Sequence, residues 1–139
     1  MPIQVDWGGV YPAVPTQLKE DLSVDVAATQ EHIERLLDNG VHGLVMLGTI
    51  GENTSLSLAE KVEVLRGTAD VVAGRVPVLA GCAEFTTRSS CDTEAAEAEA
   101  GADGIMQLPA MVYNADARET IDHFRTEAES TRLPIMCYN

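Results

Sequence analysis

The sequence predicts an α/β fold built from parallel βαβ units. Short apolar runs alternate with amphipathic segments along the whole chain, the alternation repeats internally, and the last apolar run has no helix after it. The runs at 9–14, 43–47, 76–80, 104–108 and 134–138 have the length of strands and are bounded by glycine, proline or polar clusters. Four helical patterns lie between them. The first runs over 25–39 with Ile33, Leu36 and Leu37 inward. In the second, Leu58, Val62, Leu65, Ala69 and Val72 recur at helical spacing, Ser57 and Glu60 form a capping box, and Gly74 stops the helix. The third, over 87–100, is rich in Ala and Glu and is expected to present a solvated acidic face. The fourth covers 116–130 with Ile121, Phe124 and Ala128 inward.

The internal repeat narrows the architecture. Gly40-Val-His-Gly43 and Gly101-Ala-Asp-Gly104 each introduce a strand, as do Arg75-Val-Pro-Val78 and Arg132-Leu-Pro-Ile135, and each pair is separated by two βα units. That period suits a (βα)8 barrel, whose alternate strands occupy equivalent places in the layered core. A barrel needs eight strands and about 250 residues, whereas this chain of 139 residues supplies about five strands and four helices. Residues 1–139 are therefore expected to be the N-terminal part of a single barrel domain, cut after the fifth strand. A five-stranded doubly wound sheet is the rival of matching length, but it closes with a fifth helix.

Composition bounds the function. With 45% hydrophobic and 22% charged residues the sequence has the balance of a globular domain, and no apolar run approaches the roughly 20 residues that span a bilayer. The start lacks the basic and apolar stretches of a secretion signal, so a cytoplasmic location is expected. A net charge of −13 repels phosphate backbones and anionic lipids, which argues against nucleic-acid and membrane partners. Cys82, Cys91 and Cys137 read as reduced thiols. His32, His42 and His123 are scattered without ligand spacing, so no metal site is expected. Trp7 is expected to pack the N-terminal segment onto one end of the fold.

The chemistry concentrates after the second run. Leu47-Gly-Thr-Ile-Gly-Glu-Asn-Thr-Ser55 is a glycine-punctuated turn into a helix, able to aim exposed amides at a small anion such as a carboxylate. It lacks the third glycine of a dinucleotide fingerprint and the Gly-Lys-Ser/Thr of a phosphate loop. An ordinary βα loop is the plain alternative. Tyr113-Asn114 and Tyr138-Asn139 follow the fourth and fifth runs, at the strand ends where barrel enzymes keep their sites.

Together, Gly9-Val-Tyr-Pro-Ala-Val14, Gly48-Thr-Ile-Gly-Glu52, Ala102-Asp-Gly104 and the terminal Tyr138-Asn139 resemble the dihydrodipicolinate synthase and N-acetylneuraminate lyase family. The resemblance implies a (βα)8 lyase or aldolase that uses a 2-oxo acid, usually pyruvate, through a Schiff base to a lysine on the sixth strand. It implies no cofactor. It gives Gly48, Thr49 and Ile50 to substrate-carboxylate binding, and it places Thr49, Tyr113 and Tyr138 in a catalytic proton relay, Tyr113 reaching into a neighbouring subunit of a homodimer or homotetramer. Glu52 would anchor the turn. Ile50 stands where many members have a second threonine and Gln17 where a proline is common, which favours a relative acting on another 2-oxo acid over the lysine-biosynthesis enzyme itself. The chain has only Lys19 and Lys61. Lys61 is expected to face solvent and Lys19 lies among acids, so the Schiff-base lysine is expected beyond residue 139, and the 139 residues alone are expected to be inactive. The competing reading is non-enzymatic: an acidic, five-stranded α/β module that binds a small anion at the same turn or serves regulation.

Overall fold

A computed structural model describes residues 4–110, 112 and 114–139. Helix α1 spans Val26–Asp38, α2 Leu58–Val72, α3 Thr87–Ala100 and α4 Ala117–Ser130; strands are β1 Leu44–Met46, β2 Val78–Cys82, β3 Gly104–Gln107 and β4 Ile135–Cys137. Each helix starts on a side-chain cap that satisfies an otherwise orphaned amide. Asp25, Ser57, Thr86 and Asp116 fill that role, and Ser57–Glu60 and Asp116–Glu119 form complete capping boxes. Helix α2 stops at left-handed Ala73, followed by Gly74.

The strands pair in parallel in the order β1-β2-β3-β4. Successive right-handed crossovers that step in one direction put every helix on the same face, and α1 to α4 indeed pack each against the next. A doubly wound sheet reverses its strand order and carries helices on both faces. The sequential order thus discards the doubly wound rival.

The first candidate strand, 9–14, is reduced to a single parallel bridge between Ala13 and Val45. Val10 and Pro12 offer carbonyls to His42 and Val45, and Val14 donates to Val45. Pro12 has no N–H, so the donor that would continue the ladder between them is missing.

Alternation along the strands makes two apolar layers. Leu44, Met46, Ala80 and Ile105 face the helices and join Ile33, Leu65 and Val72 in the main core. Val45 and Leu79 face the opposite way, with Val5, Tyr11, Met106 and Met136 around them.

Three expected helix faces are corrected. In α2 the buried residues are Lys61, Val64, Leu65, Gly67, Thr68 and Val72, while Leu58 is 44% exposed. The inward stripe is rotated because the polar members are satisfied in place: the Thr68 hydroxyl donates to Val64 O at 2.8 Å, and Lys61 pairs with Glu84 at 2.6 Å. In α3 the acidic face is not solvated. Glu94 and Glu97 are fully buried, and the inward residues of the neighbouring α4 are His123 and Glu127. Ile121 and Ala128 are exposed and Phe124 only half-buried, because the i, i+4 ridge of His123 and Glu127 is the one α4 turns inward.

This seam holds its acids out of water. Burial pushes the Glu94 carboxyl up to about 7, Glu127 up to about 8, and Glu97 well above the ordinary range, with Lys61 partly opposing the last. His123 Nε2 lies 3.1 Å from Glu127 and its Nδ1 shares a 2.9 Å hydrogen bond with the Thr87 hydroxyl. Burial likewise raises the Cys82 thiol far above its usual value, so this cysteine is inert as a nucleophile.

Candidate functional site

The turn after β1 is closed by its own backbone. Gly51 and Asn53 donate to Gly48 O at 2.9 and 3.4 Å, and Glu52 donates to Thr49 O at 3.2 Å. Leu47 and Glu52 both adopt left-handed conformations, with φ of 55° and 64°, an uncommon state for residues with a Cβ. The surrounding structure holds them there. A Cβ on Gly51 would lie 2.8 Å from Leu47 N, and one on Gly81 would lie 2.4 Å from Leu47 O. Glycine at 51 lets the turn close tightly on itself, and glycine at 81 lets β2 touch the turn backbone to backbone.

The side chain that fastens this turn is Asn53. Its Nδ2 donates to Leu47 O at 2.8 Å and to Gly81 O at 2.6 Å, tying the ends of β1 and β2 together. Its Oδ1 accepts from Lys61 Nζ at 3.2 Å, and that ammonium also donates to Glu84 Oε1 at 2.6 Å. Thr16 Oγ1 adds a bond to Gly51 O at 2.8 Å. Glu52, expected to anchor the turn, has an exposed side chain; the anchoring carboxamide is its neighbour's. Lys61, expected to face solvent, is 5% exposed. Periodicity missed it because a lysine next to an apolar position reads as surface unless its partner, here 23 residues ahead, is known.

With its back pinned, the turn presents its front to a groove of about 840 Å³ on the inner face of the sheet. Gly48, Thr49 and Ile50 line one side and Tyr138 another, over a floor that includes Val45, Leu79, Met106 and Met136. The amides of Thr49 and Ile50 are taken by no hydrogen bond among the described residues, and both side chains are exposed. Tyr138 is set at the end of β4 by its amide, which donates to Gln107 O at 2.8 Å, and its ring is 57% exposed. Four of the five residues read from the sequence as site residues therefore share one groove. The fifth, Tyr113, lies outside the described residues.

The groove also holds residues without a role in the sequence reading. Tyr11 lines it and donates its hydroxyl to Asp6 O, and burial followed by the Asp6 charge raises the Tyr11 phenol above its ordinary value. Trp7, expected at one end of the fold, is half-exposed along the same wall. Among the described residues no group of three or more His, Cys, Asp or Glu is arranged for a metal ion, and no helix is long and apolar enough to cross a membrane.

Comparison with known proteins decides the family. The pattern of the dihydrodipicolinate synthetase family matches residues 6–139. The chain belongs to that family. It is 38% identical over 136 residues to the 4-hydroxy-tetrahydrodipicolinate synthase of Desulforamulus reducens, covering 97% of this chain and 46% of that relative. The crystal structure of dihydrodipicolinate synthase DapA-2 from Bacillus anthracis superposes with a TM-score of 0.93 at 34% identity, over 98% of this chain and 47% of that one. YagE, a prophage protein of the dihydrodipicolinic acid synthase family from E. coli K12 solved in complex with pyruvate, superposes with a TM-score of 0.91 at 33% identity, over 96% and 45%. The chain thus spans about half the length of the curated relatives it matches. Its sequential parallel strands and one-sided helices are an arc of the (βα)8 barrel those dihydrodipicolinate synthase structures form.

Proposed function

We propose that these 139 residues are the N-terminal part of a barrel lyase that acts on a 2-oxo acid of the pyruvate type through a lysine Schiff base. The observation that carries this reading is the convergence of the unpaired Thr49 and Ile50 amides with Tyr138 on one groove, in a chain of the dihydrodipicolinate synthetase family. The YagE structure holds pyruvate. Two adjacent backbone donors on a pinned turn suit a carboxylate, because they need no reorganisation when the anion arrives. Gly48 precedes them on the wall of the same groove. Thr49 and Tyr138, with Tyr113, then pass protons to and from the carbinolamine and the enamine. A free phenol titrates near 10, so such a relay needs hydroxyl neighbours that share the charge.

Neither lysine of this chain serves as the nucleophile in this reading. Lys61 Nζ is committed to Glu84 and Asn53 behind the turn, and Lys19 sits in an exposed loop; neither lines the groove. The amine comes from outside residues 1–139, in a cytoplasmic homodimer or homotetramer whose subunits exchange Tyr113.

Imine formation joins the lysine amine to the ketone with loss of water and acidifies the C3 protons, so the full protein carrying this chain should exchange the pyruvate methyl protons with deuterium from solvent. Tyr138→Phe is expected to slow that exchange by roughly 10²- to 10⁴-fold. Exchange by Tyr138→Phe at the wild-type rate contradicts the assignment. Absence of exchange in the wild type, with a carboxylate still bound at the turn, favours the anion-binding module instead.

A further inference from the structure

We infer that Lys61 and Glu84 are positioning residues that set substrate affinity through Asn53, without touching substrate. The inference rests on the carboxylate-binding reading of the turn. Lys61 stands in the first turns of α2, Glu84 just beyond β2, and Asn53 between the turn and α2, so the three join every element that borders the turn from behind. Asn53 has one way to satisfy itself. Its NH2 group faces two carbonyls, Leu47 O and Gly81 O, and therefore its carbonyl oxygen must point to a donor. Lys61 is that donor, and Glu84 fixes where the ammonium sits. Rotating the carboxamide would set its oxygen against both carbonyls, which the Lys61 charge prevents. Leu47 O is itself the carbonyl against which Gly81 is packed, and Leu47 is held left-handed, so the direction in which Thr49 and Ile50 present their amides follows from this lock. Asn53 and Lys61 are buried and Glu84 is part-buried, and buried polar groups cost free energy unless each is paired. Here all three are paired, at 2.6 to 3.2 Å.

The lock acts on ground state and transition state alike, because the carboxylate does not change charge in the reaction. Loosening it is therefore expected to raise KM and spare kcat. Removing Lys61 alone strands Glu84 and leaves the nearby Glu97 without its opposing charge, which endangers folding. The neutral double variant Lys61→Met with Glu84→Gln avoids stranding Glu84, and Asn53→Ala, which leaves Lys61 beside Glu84 and Glu97, probes the same lock from its other end.

In the full protein, the Lys61→Met/Glu84→Gln variant is expected to raise KM for pyruvate about tenfold with kcat within about twofold, and to speed hydrogen exchange of the peptide over 48–52. Asn53→Ala should do the same, and the triple variant should be no worse than Asn53→Ala alone. Unchanged KM and unchanged exchange at 48–52 would overturn the inference, as would effects that multiply in the triple variant. If the wild type shows no pyruvate chemistry, the functional reading fails by itself, and hydrogen exchange at 48–52 still decides whether the lock positions the turn.

Discussion

Gly81 and Ile50 show how much a single position carries. Alanine at 81 would drive a Cβ to 2.4 Å from Leu47 O, a backbone atom with no freedom to yield. Gly81→Ala is expected to cost about 1–3 kcal/mol in urea unfolding and to weaken 2-oxo acid binding, since the displaced carbonyl also holds Asn53. Ile50 acts in the opposite sense: its exposed side chain supplies apolar surface at the groove, where under the proposed carboxylate reading a hydroxyl would add a donor. Ile50→Thr is expected to lower KM for pyruvate by about fivefold, the value of one hydrogen bond worth about 1 kcal/mol. An unchanged or higher KM would show that the groove favours a substrate with an apolar group beside the carboxylate. Residue by residue, the candidate groove was legible where the signal is local. That Gly48, Thr49, Ile50 and Tyr138 lie at one groove could be anticipated because a glycine turn and a polar strand tip are local signals, whereas the lock of Asn53, Lys61 and Glu84 depends on partners up to 28 residues apart in sequence.

Helix ends are set by local sequence, whereas the face each helix buries is not. Caps are local, and Asp25, Ser57, Thr86 and Asp116 start their helices within a residue of the expected places. Inward stripes depend on what a neighbour offers, and in α3 and α4 the neighbour offers a carboxylate. Glu94 of α3 lies near Glu127 of α4 and accepts from Ser130 at 3.4 Å, with Cys82 of β2 close to the acids and Lys61 of α2 beside Glu97. Because the folded carboxyls titrate above the unfolded value of 4.5, at about 7 for Glu94 and about 8 for Glu127, the folded state holds more protons than the unfolded one between these values. Their contribution to stability is therefore full below about pH 4.5, falls as pH rises through 7 to 8, and is level above that. Urea unfolding is expected to show stability dropping by a few kcal/mol across this window. Glu127→Gln should flatten the drop; an equally steep profile in that variant would remove Glu127 from the explanation.

At the scale of the molecule, the sequential strand order sets the architecture. Parallel strands in sequence order with helices on one face leave the other face lined by Val45, Leu79, Met106 and Met136, an apolar floor open along the groove. Alternating apolar runs and the two-unit repeat made that arc legible; the shortening of the first strand was visible only as Pro12, whose missing N–H ends the ladder. Prepared alone, residues 1–139 are expected to associate with increasing concentration, since an open sheet edge and an apolar face invite further chains. A monodisperse monomer with cooperative unfolding in light scattering and calorimetry would contradict this.

The central claim, that this turn and tyrosine serve an imine-forming 2-oxo acid enzyme, is tested most directly by borohydride reduction of the full protein with pyruvate, followed by intact mass and peptide mapping. Hydride reduces the imine to a stable secondary amine, so the account predicts one added pyruvate, less the lost oxygen, on a lysine outside residues 1–139. An adduct on Lys19 or Lys61, or none at all, would contradict it.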